Sequence, residues 1–187
     1  MNLQEGYLYH IFNRGNNGER IFYTSSNYLF FLEKIRNNIL PHAEVLSWCL
    51  MPNHFHLMIK VQHQVIKSKT INQSIGIMLC SYSRAINIQE SRTGSLFQQH
   101  TKSLCLNGNE KLNLSWYKIM GVTKINRIEE KAEYPNVCMN YIHLNPVKAG
   151  IVYDVRKWPW SSYQEIYLKN TDIELVNVEA LKSVVRL

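Results

Sequence analysis

The chain has 187 residues, 45% of them hydrophobic, and its 21 Lys plus Arg against 14 Asp plus Glu give a net charge of +7. That length and apolar share suffice for one packed domain spanning 1–187, and a pI near 9.2 favours a polyanionic partner, nucleic acid above membrane surface or neutral metabolite. No apolar run reaches the length of a spanning helix and MNLQEGYLYH lacks a basic-then-apolar leader, so a cytoplasmic protein with no membrane partner is expected.

The cysteines, Cys49, Cys80, Cys105 and Cys138, show no C-x-x-C spacing and read as reduced, small core residues. Tyrosine is abundant, with eleven copies, a composition suited to stacking on unpaired bases as well as to ordinary packing.

In chain order, Tyr7 to Asn13 alternates and is rich in aromatic and β-branched residues, which predicts a first strand. Arg14-Gly15-Asn16-Asn17-Gly18 then breaks the pattern; a glycine loop at a strand end is either a plain connection or an approach to phosphate. Ser25 or Ser26 is expected to cap a helix to about Leu40, with Leu29, Leu32, Ile35 and Ile39 on one face and Pro41 as its stop. Val45–Leu50 and His54–Val61 predict a hairpin around Pro52-Asn53. Thr70 to Asn87 places Ile71, Ile75, Met78, Leu79, Tyr82 and Ile86 at helical spacing, with Arg84 on the polar face. An extended segment from Gly94 through Leu106 supplies a fourth strand, carrying Lys102.

This β-α-β-β-α-β order predicts an α+β fold, a ferredoxin-like antiparallel sheet at about 7–106 followed by additional C-terminal helices. Residues 107 to 133 are polar and hard to read: SWYKIMGV suggests a short amphipathic piece and TKINRIEEKAEY a charged, helix-prone one. Pro135 opens a further helix that Pro146 is expected to stop, and VNVEALKSVVRL suggests a terminal helix. Tyr141 and Asn145, four apart, share a face of the Pro135 helix.

The chemistry centres on His54-Phe55-His56. Strand alternation puts both imidazoles on the face opposite Phe55, Leu57 and Ile59, with Cα atoms roughly 6 to 7 Å apart. Two such rings can converge on one ion, or can simply be solvated or satisfied by neighbouring polar groups. The H-E-x-x-H pattern of zinc proteases is missing, as are both His-x-Ser/Thr motifs of two-histidine phosphoesterases.

Cys49-Leu50-Met51-Pro52-Asn53-His54-Phe55-His56-Leu57, then Gly94-Ser95-Leu96-Phe97-Gln98, then Tyr141-Ile142-His143-Leu144-Asn145-Pro146-Val147-Lys148-Ala149-Gly150, with Trp160-Ser161-Ser162-Tyr163 trailing, resemble the REP-associated tyrosine transposases, within the single-tyrosine HUH transposases. The likeness covers roughly residues 7 to 165. It implies a single-stranded DNA endonuclease and strand transferase working through a 5′-phosphotyrosine link. Residue by residue, it implies His54, His56 and Asn145 as ligands of a divalent Mg²⁺ or Mn²⁺, and Tyr141 as the nucleophile on a tyrosine-bearing helix. Arg14, Arg84, Lys102 and Lys148 become candidates for DNA contact, with hairpin-forming single-stranded repeats as partner and either a monomer cutting in cis, the favoured state, or a homodimer. Two positions depart from the family pattern: Gln99-His100-Thr101-Lys102 lacks the arginine common after the fourth strand, and Asn140 replaces a frequent arginine before the tyrosine. Tyr82 and Tyr117 are the next candidates for the nucleophile. The competing expectation is a non-cleaving, single-stranded nucleic-acid-binding regulator.

Overall fold

The computed structural model describes residues 1–62, 69–108, 117–119, 122–124, 133–169 and 171–187. Four strands, β1 (Leu8–Arg14), β2 (Ala43–Met51), β3 (His54–Val61) and β4 (Lys102–Cys105), form an antiparallel sheet in the order β2-β3-β1-β4. Helices α1 (Ser25–Asn38) and α2 (Ile71–Gln89) connect β1 to β2 and β3 to β4. The chain is thus a mixed α/β protein with a four-stranded antiparallel sheet and several helices.

The strand alternation sorts the sheet into two faces. Phe55, Leu57 and Ile59 are all buried, and Phe55 meets Phe31 of α1 at 5.1 Å between ring centroids. Tyr82 of α2 packs edge-on to the same Phe31 at 4.9 Å, so α1 and α2 share this face. The six apolar residues expected on the inner face of α2 are all buried.

Helix α1 departs from its predicted bounds. Thr24, not Ser25 or Ser26, is its N-cap, because the Asn27 carboxamide oxygen accepts from both Tyr23 N and Thr24 N at 3.0 Å. The apolar face is Tyr28, Phe31, Leu32 and Ile35, leaving Leu29 exposed, and the helix ends at Asn38, ahead of Pro41.

Helix α3 (Tyr134–Lys148) covers the opposite, histidine-bearing face. Pro146 lies inside it and does not stop it. The stop is Gly150, whose φ of +69° suits a residue without Cβ, with Ile151 N donating to Pro146 O at 3.0 Å as in a Schellman cap.

Residues after α3 close the β2 edge. Leu50 N donates to Trp160 O, Ser162 N to Trp48 O and Asn177 N to Val45 O, each at 2.9 Å, which satisfies backbone groups that would otherwise offer a pairing edge. Gly94–Gln98 contributes a single bridge, Gly15 to Phe97, instead of strand; the fourth strand is the shorter β4. Part of SWYKIMGV pairs as strands β5 (Tyr117–Ile119) and β6 (Val122–Lys124), in keeping with its alternating aromatic and β-branched letters. The helical reading of TKINRIEEKAEY falls largely on 125–132, outside the described residues. The terminal helix is the five-residue α4 (Val178–Lys182). Among the described residues no helix is long and apolar enough to cross a membrane.

Candidate functional site

The histidine face is assembled from three elements. Register pairs Phe12 with His56 and Arg14 with His54 across β1 and β3, and residues paired in this way project to the same side of the sheet. α3 lays Tyr141 over them. The His54 and His56 ring centroids lie 5.0 Å apart at an interplanar angle of 87°, and the Tyr141 ring is 5.4 Å from His56. His10, one pleat along β1, stacks on His56 at 5.0 Å and meets Tyr141 edge-on at 5.9 Å. Sequence reading missed His10, since nothing in β1 marks it until the register sets it beside His56.

The turn before His54 determines which nitrogen of that ring is protonated. Asn53 Nδ2 donates to Gly18 O at 3.1 Å, which turns Asn53 Oδ1 toward His54 Nδ1 at 2.6 Å. An oxygen acceptor there requires the proton on Nδ1, leaving a lone pair on His54 Nε2. His56 is 4% exposed; its Nδ1 lies 2.9 Å from His10 Nε2, while its Nε2 is buried without a hydrogen-bond partner.

Burial holds all three rings neutral. It pushes the His10 pKa down to about 4; for His54 burial, aided by the Arg14 charge, also brings it to about 4. Burial, with the neighbouring His10 and His54, carries His56 well below the ordinary histidine value. Neutral imidazoles with exposed lone pairs are the form that binds cations.

Burial also raises the Tyr141 phenol above its ordinary pKa, an effect partly offset by hydrogen bonding from the Asn145 side chain. Asn145 is 9% exposed and its Nδ2 donates to Tyr141 O at 3.2 Å, a bond in which Oδ1 takes no part. Lys148 Nζ sits 5.1 Å from the Tyr141 ring centroid, where a cation favours the ring face. His54 Nε2, His56 Nε2 and the Asn145 amide oxygen are donor atoms of metal-ligating type; among the described residues no three His, Cys, Asp or Glu side chains form a metal-holding group.

The basic candidates divide. Arg14 and Lys102 share the histidine face through the β1 register, with Lys102 Nζ 6.0 Å from the Phe12 ring, and Lys148 joins them from α3. Arg84 is on the exposed side of α2, across the sheet. The Gly15 loop spends its backbone internally: Gly15 N donates to Asn53 O, Asn16 N to Leu96 O, Gly18 N to Gly15 O and Glu19 N to Asn16 O. It braces the turn before His54 instead of cradling phosphate with those groups. Tyr82 is fully buried and donates to Ile21 O at 2.7 Å, a core role; Tyr117 stands on β5.

A second buried group fastens α3. His143 Nε2 lies 2.8 Å from Ser162 Oγ and 3.1 Å from Ser47 Oγ, joining α3 to β2 and to the segment along its edge. In sequence His143 appears only within the segment 141–150 and Ser162 only within Trp160-Ser161-Ser162-Tyr163, with nothing to join them.

No family model matches the chain, and no curated protein matches it. Among solved structures it is similar to a REP-associated tyrosine transposase bound to a REP hairpin, with a TM-score of 0.57 and 15% identity over 100% of this chain and 96% of that one. The two share a fold. At that identity the likeness concerns backbone architecture alone.

Proposed function

We propose that this chain is a single-domain, metal-dependent endonuclease and strand transferase for single-stranded DNA, with Tyr141 as its nucleophile. The observation that carries the reading is the Tyr141 ring 5.4 Å from neutral His56, whose Nε2 is buried and unpartnered and whose ring lies 5.0 Å from that of neutral His54. The likeness to a transposase solved with a DNA hairpin supports it, as does the net charge of +7. We read the β2-β3-β1-β4 order as the ferredoxin-like split βαβ arrangement, and take the chain to act as a monomer in cis on hairpin-forming repeats.

In this reading the Tyr141 oxygen attacks a backbone phosphorus and gives up its phenolic proton to solvent. The P–O3′ bond breaks, the departing 3′-oxygen gains a proton, and the 5′ side stays linked to Tyr141. An incoming 3′-hydroxyl reverses the step, restoring a phosphodiester and the phenol without an external energy source. The donor set of His54, His56 and Asn145 fits Mg²⁺ or Mn²⁺, with imidazole favouring the latter. When bound, such an ion supplies electrophilic stabilisation of phosphate charge. The chain's own contribution is to hold the phenol against the histidines and keep them neutral, while Arg14, Lys102 and Lys148 grip the DNA backbone and Arg84 extends the basic surface.

The test is a denaturing gel of protein mixed with labelled single-stranded DNA hairpins and Mn²⁺ or Mg²⁺. A covalent band is expected for the native chain, lost with chelator and in both Tyr141→Phe and His54→Ala. Capture surviving Tyr141→Phe removes Tyr141 from the reaction; capture surviving chelator removes the metal.

One observation favours a second reading, a non-cleaving single-stranded nucleic-acid binder: burial raises the Tyr141 phenol, which disfavours the phenolate. That reading expects binding that weakens with salt, indifferent to divalent ions, and no covalent band.

A further inference from the structure

We infer that His10 is a positioning residue that holds the proton of His56 on Nδ1 and thereby presents His56 Nε2 as a lone pair to the cation. This rests on the metal-site reading above.

The two rings are joined through His10 Nε2 and His56 Nδ1 at 2.9 Å, and an N···N bond of that length between neutral imidazoles contains one proton. Either His56 donates it or His10 does. If His10 donates, the proton of His56 must sit on Nε2, an N–H buried with no acceptor, and that nitrogen cannot ligate. If His56 donates, its Nε2 carries a lone pair in the same place. The second allocation matches the adjacent ligand, where Asn53 Oδ1 at 2.6 Å keeps the proton on His54 Nδ1. Each histidine of the pair then has one fixed acceptor behind it, an amide oxygen for His54 and an imidazole nitrogen for His56. His10 is itself held in place: it is 7% exposed, stacked on Phe12 at 4.8 Å and edge-on to Tyr141 at 5.9 Å. Such outer partners fix ring orientation and raise ligand basicity, and their loss costs roughly 10- to 100-fold in metal affinity.

The experiment is Mn²⁺ titration by calorimetry on the DNA-free protein, comparing the native chain with His10→Leu, which fills the space without an acceptor, and His10→Gln, whose carboxamide oxygen can take the place of Nε2. We expect Mn²⁺ binding weakened about 10- to 100-fold in His10→Leu and restored to within a few-fold in His10→Gln. A purely packing role for His10 predicts near-native affinity for His10→Leu, and that result overturns the inference while leaving the metal site standing. Absence of Mn²⁺ binding by the native chain overturns the metal site and this inference together. Nitrogen-15 imidazole shifts of the metal-free native protein test the point without any variant: a pyridine-type Nε2 and pyrrole-type Nδ1 on His56 are expected, and the reverse assignment overturns it.

Discussion

Ser162→Ala removes one oxygen from the junction that seats the tyrosine helix. Ser162 is fully buried, and its Oγ accepts from Trp48 N at 2.9 Å while lying 2.8 Å from His143 Nε2 and 3.2 Å from Ser47 Oγ. Ser47 Oγ still reaches His143 at 3.1 Å after the change, so His143 keeps a partner. Trp48 N does not, and a buried donor left without an acceptor costs about 1–3 kcal/mol. With the weakened contact to His143, we expect a loss of about 2–3 kcal/mol and, for a chain of this size, a Tm lower by roughly 5–10 °C. Urea unfolding followed by circular dichroism checks it, with the midpoint falling and the slope unchanged. Because α3 carries both His143 and Tyr141, covalent capture of DNA should slow in the same variant. A stability change under about 0.5 kcal/mol would show that water or a rearranged backbone replaces the hydroxyl and that this junction does not seat α3.

Acid should destabilise the protein through His143, whose pKa burial lowers from 6.5 to about 4. Above the unfolded value both states are neutral and pH has no effect; between 6.5 and about 4 the unfolded chain takes up a proton that the folded one refuses. Stability is therefore lost as pH falls through that window, by about 3 kcal/mol at 1.36 kcal/mol per pH unit. Stability measured against pH in chelator should fall more steeply than this in the native chain, since burial lowers His10, His54 and His56 as well, and less steeply in His143→Gln than in the native chain; equal slopes would place the proton uptake on the other histidines. Gly15→Ala should loosen the turn before His54, since a Cβ there would collide with the Glu19 backbone oxygen. A loss of about 1–3 kcal/mol in urea unfolding and weaker Mn²⁺ binding are expected, and unchanged values for both would show that the loop relaxes freely.

Much of the sheet and its two connecting helices was legible because each element buries one face against a partner of its own period. Alternation in His54–Val61 separates Phe55, Leu57 and Ile59 from the histidines without reference to anything distant, and the spacing in α2 holds for all six apolar positions. The errors fall where a local signal competes with a tertiary one. Pro146 reads as a terminator because it lacks an N–H, yet α3 is held over the sheet by its own packing and by the His143 junction, so it continues to Lys148 and is stopped by Gly150. Leu29 fits an apolar spacing, but the aromatic residues Tyr28 and Phe31 set the buried side of α1 instead. Gly94–Gln98 has strand-like letters and only one bridging partner, since Gly15 turns away from the sheet at that point.

The site was legible in a different way, as residue types without geometry. His54 and His56 announce themselves by spacing, and Tyr141 only through the company of its neighbours, because a tyrosine at helical spacing is by itself ordinary core. What no spacing could supply is the chain of acceptors behind the pair: Gly18 O orients Asn53, Asn53 orients His54, and His10 meets His56 from another strand. These contacts span 35 residues from Gly18 to Asn53 and 46 from His10 to His56, and they exist only once β1 pairs with β3 and the Gly15 loop folds back on the hairpin. The loop that read as either a plain connection or an approach to phosphate therefore sits behind the hairpin turn, since Gly15 N donates to Asn53 O and Gly18 O orients the Asn53 side chain whose oxygen faces His54 Nδ1. A short glycine-rich loop, a buried serine pair and a third histidine thus all bear on one place, the histidine face of the sheet over which α3 lies.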